Sequence, residues 1–99
     1  MRLYQIAHAR AGDKGDTSIL LLAPFDPADF QRLREHVTAS RVSEHFGSKP
    51  ENVSITVLEL LCAITIVIRE QLAGGVTRTH RIDPHGKTLA SHLLDLEIG

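Results

Sequence analysis

Tryptophan is absent from this chain, tyrosine occurs once and phenylalanine three times. So few aromatic rings leave no stacking platform for single-stranded bases. Basic charge is not in excess either: 11 Lys and Arg stand against 12 Asp and Glu, for a formal net charge of −1. Neither a phosphate backbone nor an anionic membrane surface has an electrostatic footprint to meet. The single cysteine, Cys62, excludes an internal disulfide framework and gives no reason to assign an oxidising compartment. The longest apolar stretch, around Leu60–Ile68, is about half of what a membrane span needs. The opening Met1-Arg2-Leu3-Tyr4-Gln5 lacks the apolar core of a signal peptide. These features predict a soluble, cytoplasmic protein that binds neither nucleic acid nor membrane.

What is present fits one small domain. At 99 residues and 42% hydrophobic composition, the chain can bury a genuine core. Arg2–His8 alternates and predicts a strand. Ala11–Asp16, with Gly12 and Gly15, predicts a turn, and the apolar run Thr17–Ala23 a buried strand. Asp26-Pro27 is a helix-starting pair, and Phe30, Leu33 and Val37 follow at helical spacing, which predicts a helix over 27–37. Thr38 can cap a second short helix with the stripe Ala39, Val42 and Phe46, closed by Gly47. Residues 48–52 read as a loop and Val53–Leu58 as a strand.

The next segment supports two readings. Ala63–Ile68 is β-branched and favours a strand. Leu60, Ile64, Ile68 and Leu72 form an i, i+4 stripe ending at Gly74-Gly75, which favours a helix. Length tips the expectation toward a helix over 60–72. Val76–Ile82 then predicts a strand, Asp83–Gly86 a turn, and Lys87–Leu94 a last helix with Leu89, Leu93 and Leu96 on one side. The resulting order is β-β-α-α-β-α-β-α. It implies an α+β fold with about four mostly antiparallel strands covered by helices.

The segment Ala7–Asp16 concentrates the chemistry. Glycines let backbone N–H groups converge on an anion, and Arg10 and Lys14 can add charge-assisted bonds to a carboxylate or phosphate. Asp13 and Asp16 can orient those cations. The candidate ligand-binding residues are therefore Arg10, Gly12, Asp13, Lys14, Gly15 and Asp16. Gly86 and Lys87 join them if the two turns meet at one end of the sheet. Gly86-Lys87-Thr88 is not a Walker A motif, because Arg81 stands where the first glycine belongs. His80, Asp83 and His85 are competent metal ligands, but their spacing matches no metal signature, and no metal or other cofactor is expected. Ser18, His8 and Asp16 lack the nucleophile elbow of a hydrolytic triad. His36 and His45 read as surface residues beside Glu35 and Glu44, and Cys62 as an inert core thiol. No reaction is assigned.

The stretch Ala7-His8-Ala9-Arg10-Ala11-Gly12-Asp13-Lys14-Gly15-Asp16 also carries a resemblance. With Leu33-Arg34-Glu35, Thr38–Val42, Leu72-Ala73-Gly74-Gly75, Ile82-Asp83, Gly86-Lys87 and Leu94–Ile98, it resembles the small C-terminal domain of the acyclic terpene utilisation (AtuA-like) proteins. Two patterns depart from that family. Thr65-Ile66 stands where Asn-Phe is usual, and Ile55–Glu59 where Arg-Tyr-x-x-Pro is usual. The resemblance implies a ferredoxin-like domain and supports the helix over 60–72. It also implies an accessory or small-subunit role in an AtuA-like catabolic enzyme acting on acyclic terpene-derived or related acyl compounds. A separately encoded large AtuA-like domain protein is then the expected partner, and a small anionic or acyl-CoA compound the expected ligand. A homo-oligomer is expected as well. An open sheet has a face and edges to cover, and the apolar runs Ile19–Ala23 and Leu58–Ile68 could supply them. The competing function is a structural oligomerisation module without a ligand site of its own.

Overall fold

A computed structural model of the chain describes residues 1–14, 17–69 and 89–98. It begins with a 3-10 turn, Leu3–Gln5, where a strand over 2–8 was expected. Leu3, Ile6 and Ala7 are buried at a spacing of three and one, which a turn satisfies and strand alternation does not. Leu3 N–H donates to the Leu96 carbonyl at 3.0 Å, fixing the turn against the far end of the chain. Strand β1 (Ala7–Lys14) follows and pairs antiparallel with β2 (Thr17–Pro24), from Ala7 opposite Pro24 to Lys14 opposite Thr17. Ala11–Lys14, expected in a turn, therefore continue β1, and only Gly15 and Asp16 separate the two strands. Ladder hydrogen bonds to β2 outweigh the weak strand preference of Gly12.

The two short helices form where the sequence signals place them. Asp26 Oδ1 accepts from Ala28 N–H at 3.0 Å, and Pro27 opens a 3-10 turn, Pro27–Asp29. That turn runs into α1 (Phe30–His36), which buries Leu33. Thr38 Oγ1 accepts from Arg41 N–H at 3.2 Å and caps α2 (Ala39–Phe46). Gly47 ends α2 at φ 74°, the left-handed conformation that glycine adopts without strain. After a 3-10 turn at Pro50–Asn52 comes β3 (Val53–Leu58).

Over residues 60–69 the expected helix is not formed, and the remainder of its span, 70–72, lies outside the described residues. A 3-10 turn, Glu59–Leu61, leads instead into β4 (Ala63–Arg69). The stripe Leu60, Ile64, Ile68 misleads because a spacing of four is a multiple of two as well as near one helical turn. Ile66 discriminates. It is fully buried beside Ile64 and Ile68, all three facing the core, which only a period of two allows. β-branched residues at 64–68 and ladders on both sides of β4 complete the preference for a strand. Cys62, expected in the core, sits half-buried in the turn before β4 at φ 50°, ψ 51°. An L-residue pays roughly 1–2 kcal/mol for that conformation.

The sheet order is β1-β2-β4-β3, with every neighbouring pair antiparallel. The strand expected over 76–82, the turn at 83–86 and the first two residues of the last helix lie outside the described residues. The helix itself, α3 (Leu89–Leu94), packs on β1, where the small side chains of Ala7 and Ala9 admit it closely. One face of the sheet, with Leu20, Leu22, Ile64, Ile66, Ile68 and Val53, is closed by Leu33, Val37, Val42, Phe46, Leu93, Leu96 and Ile98. The result is the α+β, ferredoxin-like arrangement: an antiparallel four-stranded sheet with helices against it. Among the described residues no helix is long and apolar enough to cross a membrane.

The faces of β2 and β4 should respond differently to truncation. Ile66→Ala, in the core, should cost about 2–5 kcal/mol. Ile19→Ala, on the other face and 39% exposed, should cost about 1 kcal/mol or less. Cys62→Gly should be neutral to stabilising by up to about 1 kcal/mol, because relief of the left-handed strain exceeds the entropy that glycine adds to the unfolded chain. Urea unfolding of the three variants checks all of these.

Candidate functional site

Alternation along β2 sends Leu20 and Leu22 into the core and Ile19, Leu21 and Ala23 to the opposite, outer face. Pairing extends this face across the sheet. On β1, His8, Arg10 and Gly12 lie opposite Ala23, Leu21 and Ile19. On β4, Thr65 and Val67 lie opposite Leu21 and Ile19, and beyond them β3 contributes Thr56 and Ser54. An apolar middle is thus bordered by cationic or imidazole groups. Arg69 Nη2 reaches Ser54 Oγ at 3.2 Å and the Glu51 carbonyl at 3.4 Å. His8 lies against the Phe25 ring at 5.4 Å, and Phe25 is 64% exposed.

Of the residues that the sequence nominates, Arg10 and Gly12 share this outer face. Arg10 is exposed and takes part in none of the ion pairs found among the described residues. Gly12 is an extended strand residue without positive φ, and a Cβ added there would meet nothing within 4 Å. Asp13 and Lys14 close the β1–β2 ladder opposite Ser18 and Thr17. Gly15, Asp16, Gly86 and Lys87 lie outside the described residues, and so does any meeting of the two turns. His80, Asp83 and His85 fall there too. Among the described residues no three His, Cys, Asp or Glu side chains are grouped to hold a metal ion.

A second charged region joins the chain ends to α2. Arg2, Arg41, Glu44, His45, Asp95, Leu96 and Glu97 line an open cleft of about 320 Å³. Its arginines are directed mainly at main-chain oxygens. Arg2 Nη1 donates to the Asp95 carbonyl at 2.7 Å, and Arg41 Nη2 to the Glu97 carbonyl at 2.8 Å. Arg41 Nη1 stands 2.9 Å from His36 Nδ1; a guanidinium only donates, so that nitrogen is the acceptor. The Met1 ammonium donates to Glu97 Oε2 at 2.8 Å and holds the Glu97 carboxyl below its ordinary range, with a smaller contribution from Arg2. These contacts clamp the C-terminal segment across the start of the chain.

His36 and His45 are both half-buried and engaged, where surface positions were expected. His45 stacks on His92 of α3 with ring centroids 4.3 Å apart. Nothing in the sequence indicates that pairing: 47 residues separate the two, and each is simply a polar residue preceding a core side chain, Phe46 or Leu93.

Two sets of variants test these assignments. Arg10→Ala and Gly12→Val should each leave stability within about 0.5 kcal/mol, since the first removes an exposed cation with no ion pair among the described residues and the second adds a β-branched side chain in open space on a strand. Glu97→Gln should lower the melting temperature at neutral pH and at low salt. The Glu97 carboxyl is held below its ordinary value of 4.5, so its contribution is complete above that value and is lost as pH falls through the lowered one. Wild type and Glu97→Gln should therefore converge in melts as pH falls through the lowered value and the Glu97 side chain becomes neutral.

Comparison with known proteins adds one finding. No curated protein and no solved structure matches the chain. The family model described as AtuA ferredoxin-like domain matches residues 1–99, in agreement with the four-stranded antiparallel sheet and its helices. The chain belongs to the AtuA ferredoxin-like domain family.

Proposed function

We propose that this domain is an accessory or small-subunit part of an AtuA-like catabolic enzyme acting on acyclic terpene-derived or related acyl compounds, with a separately encoded large AtuA-like domain protein as its partner in the cytoplasm. Its own contribution is an anion site around the β1–β2 hairpin. Arg10, Gly12, Asp13, Lys14, Gly15 and Asp16 are assigned to it, with Gly86 and Lys87 added if the two turns meet at one end of the sheet. The observation that carries the reading is the exposed Arg10, without an ion-pair partner among the described residues, next to the apolar strip of Leu21 and Ile19. A cation beside apolar surface suits a ligand that is anionic at one end and hydrocarbon at the other, as an acyl-CoA is.

Calorimetric titration with a branched acyl-CoA, with coenzyme A and with inorganic phosphate tests this. Arg10→Ala and Lys14→Ala should each weaken acyl-CoA binding about tenfold or more, because each removes a charge-assisted hydrogen bond. Both variants should melt close to wild type. An Arg10→Ala variant that binds like wild type, or a Lys14→Ala variant that unfolds, removes the site.

A second reading is an assembly module. The observation favouring it is the exposure of Ile19, Leu21, Phe25, Leu60 and Leu61, of which Leu60 is wholly exposed. Light scattering over a hundredfold dilution should then show at least a dimer, and a monomer throughout would exclude it.

A further inference from the structure

The outer face of the sheet carries charge of one sign. Its positions are His8, Arg10 and Gly12 on β1, and Thr17, Ile19, Leu21 and Ala23 on β2. β4 adds Thr65, Val67 and Arg69, and β3 adds Ser54 and Thr56. None of these positions holds an Asp or Glu, although the chain carries 12 of them and a formal net charge of −1. Arg10 stands on β1, at one edge of the sheet, and Arg69 closes β4 opposite Thr17. Both arginines are exposed, and neither enters an ion pair found among the described residues. Arg69 Nη2 donates to Ser54 Oγ at 3.2 Å and to the Glu51 main-chain oxygen at 3.4 Å, so the guanidinium is held toward β3 by neutral groups.

Between the two cations the surface is apolar. Ile19 and Leu21 are exposed, and Val67 and Thr65 are half-buried beside them. Where β2 ends and β4 begins, Phe25, Leu60 and Leu61 are exposed as well. The carboxylate of that turn, Glu59, is engaged by Arg34 of α1 at 3.4 Å.

We propose that the outer sheet face is the docking surface for a different protein, one whose contact surface is apolar at its centre and bears carboxylates at its margin; this rests on the reading that a separately encoded protein is the partner of this chain.

Charge complementarity selects that occupant. Covering Ile19, Leu21 and Val67 removes water from Arg10 and Arg69 too, and a cation taken out of water without a counter-charge is strongly unfavourable. Whatever covers the face must therefore supply carboxylates. A second copy docked through the same face does not, because a two-fold contact presents one patch to itself and this patch holds cations alone. A phosphate backbone is a poor match, since two arginines on a chain of net charge −1 release few counterions. An apolar middle with arginine at the margin is the usual composition of a protein–protein contact. The extent suits a small one: four strands about 4.8 Å apart and six residues of about 3.3 Å each give roughly 20 Å by 20 Å before side-chain relief is counted.

The test uses the whole chain and, as probe, a purified large AtuA-like domain protein from the same genome, titrated by calorimetry. Arg69→Glu and Thr56→Glu lie on the face but outside the residues assigned to the anion site. Each should weaken the complex about tenfold or more, because each sets a carboxylate against the partner's own. Arg69→Lys should stay within about threefold of wild type, and Arg32→Glu, on α1 behind the sheet, within about twofold. Wild-type affinity should fall as salt rises. A complex that Arg69→Glu and Thr56→Glu leave intact overturns this docking surface while the partner reading stands. Absence of any complex removes the partner reading and the docking surface with it. Light scattering of the chain alone that shows a dimer, lost in Thr56→Glu, makes a second copy the occupant and overturns the proposal, as do NMR contacts from residues 70–88 to Ile19 and Val67. If both glutamate variants unfold, Arg69→Gln decides: a weakened complex supports the docking surface and an unchanged one overturns it.

Discussion

Leu20 and Ile66 face each other across the two central strands, both wholly buried, and the layers above them rest on the apolar row to which they belong. That row runs from Ile68 through Ile66 and Ile64 on β4, beside Leu20 and Leu22 on β2. It is the surface onto which Leu33, Val42 and Phe46 of the first two helices close, with Leu93 of the third. Burying one such side chain contributes roughly 1.5–3 kcal/mol. A contiguous row of them on the two inner strands explains why the sheet, and no single helix, organises the chain. α1, α2 and α3 have only seven, eight and six residues, too short to hold together without that surface.

The same alternation that fills the core determines what faces outward. Once Leu20 and Leu22 point in, Ile19 and Leu21 must point out, and ladder pairing carries Arg10 and Gly12 to their side. The outer face is therefore a consequence of the core register, because a slip of one residue would exchange the two faces. Cationic groups border it on two sides, Arg10 along β1 and Arg69 at the end of β4. The ends of the chain are secured by a different device. Arg2 and Arg41 donate to main-chain oxygens, the Met1 ammonium holds Glu97, and His45 and His92 exchange hydrogen bonds with each other's backbone. These contacts add to the apolar anchoring of the C-terminal segment by Leu93, Leu96 and Ile98, with Leu89, Ala90 and Leu94 at the margin of the core.

Much of the local structure was legible because its causes are local. Asp26-Pro27 and Thr38 cap helices through bonds to residues two or three positions away, and Gly47 ends α2 by its own left-handed conformation. The family resemblance carried by Ala7–Asp16 held across the whole chain. The errors arose where two readings share a spacing. Leu60, Ile64 and Ile68 suit a helix and a strand equally, and the family resemblance reinforced the wrong one. Ala11–Lys14 looked like a turn because of Gly12, although a glycine on an edge strand with open space around it is easily accommodated. For the candidate site, the sequence supplied the residue types around Arg10 but not the apolar strip beside them.

The sequence by itself determined the class of fold, the caps and the hairpin of the first two strands, because these depend on residue periodicity and on neighbours within a few positions. Tertiary structure decided the rest. β4 is a strand because ladders from β2 and β3 reach it from both sides, and its partners in β2 lie far away in the sequence, as Leu22 does from Ile64. Cys62 is left-handed because the chain must turn between β3 and β4 at that point. His45 meets His92, and Arg41 meets the Glu97 carbonyl, only once α3 has docked on β1. Each of these contacts joins groups with no local signal for one another, and the packed sheet brings them together.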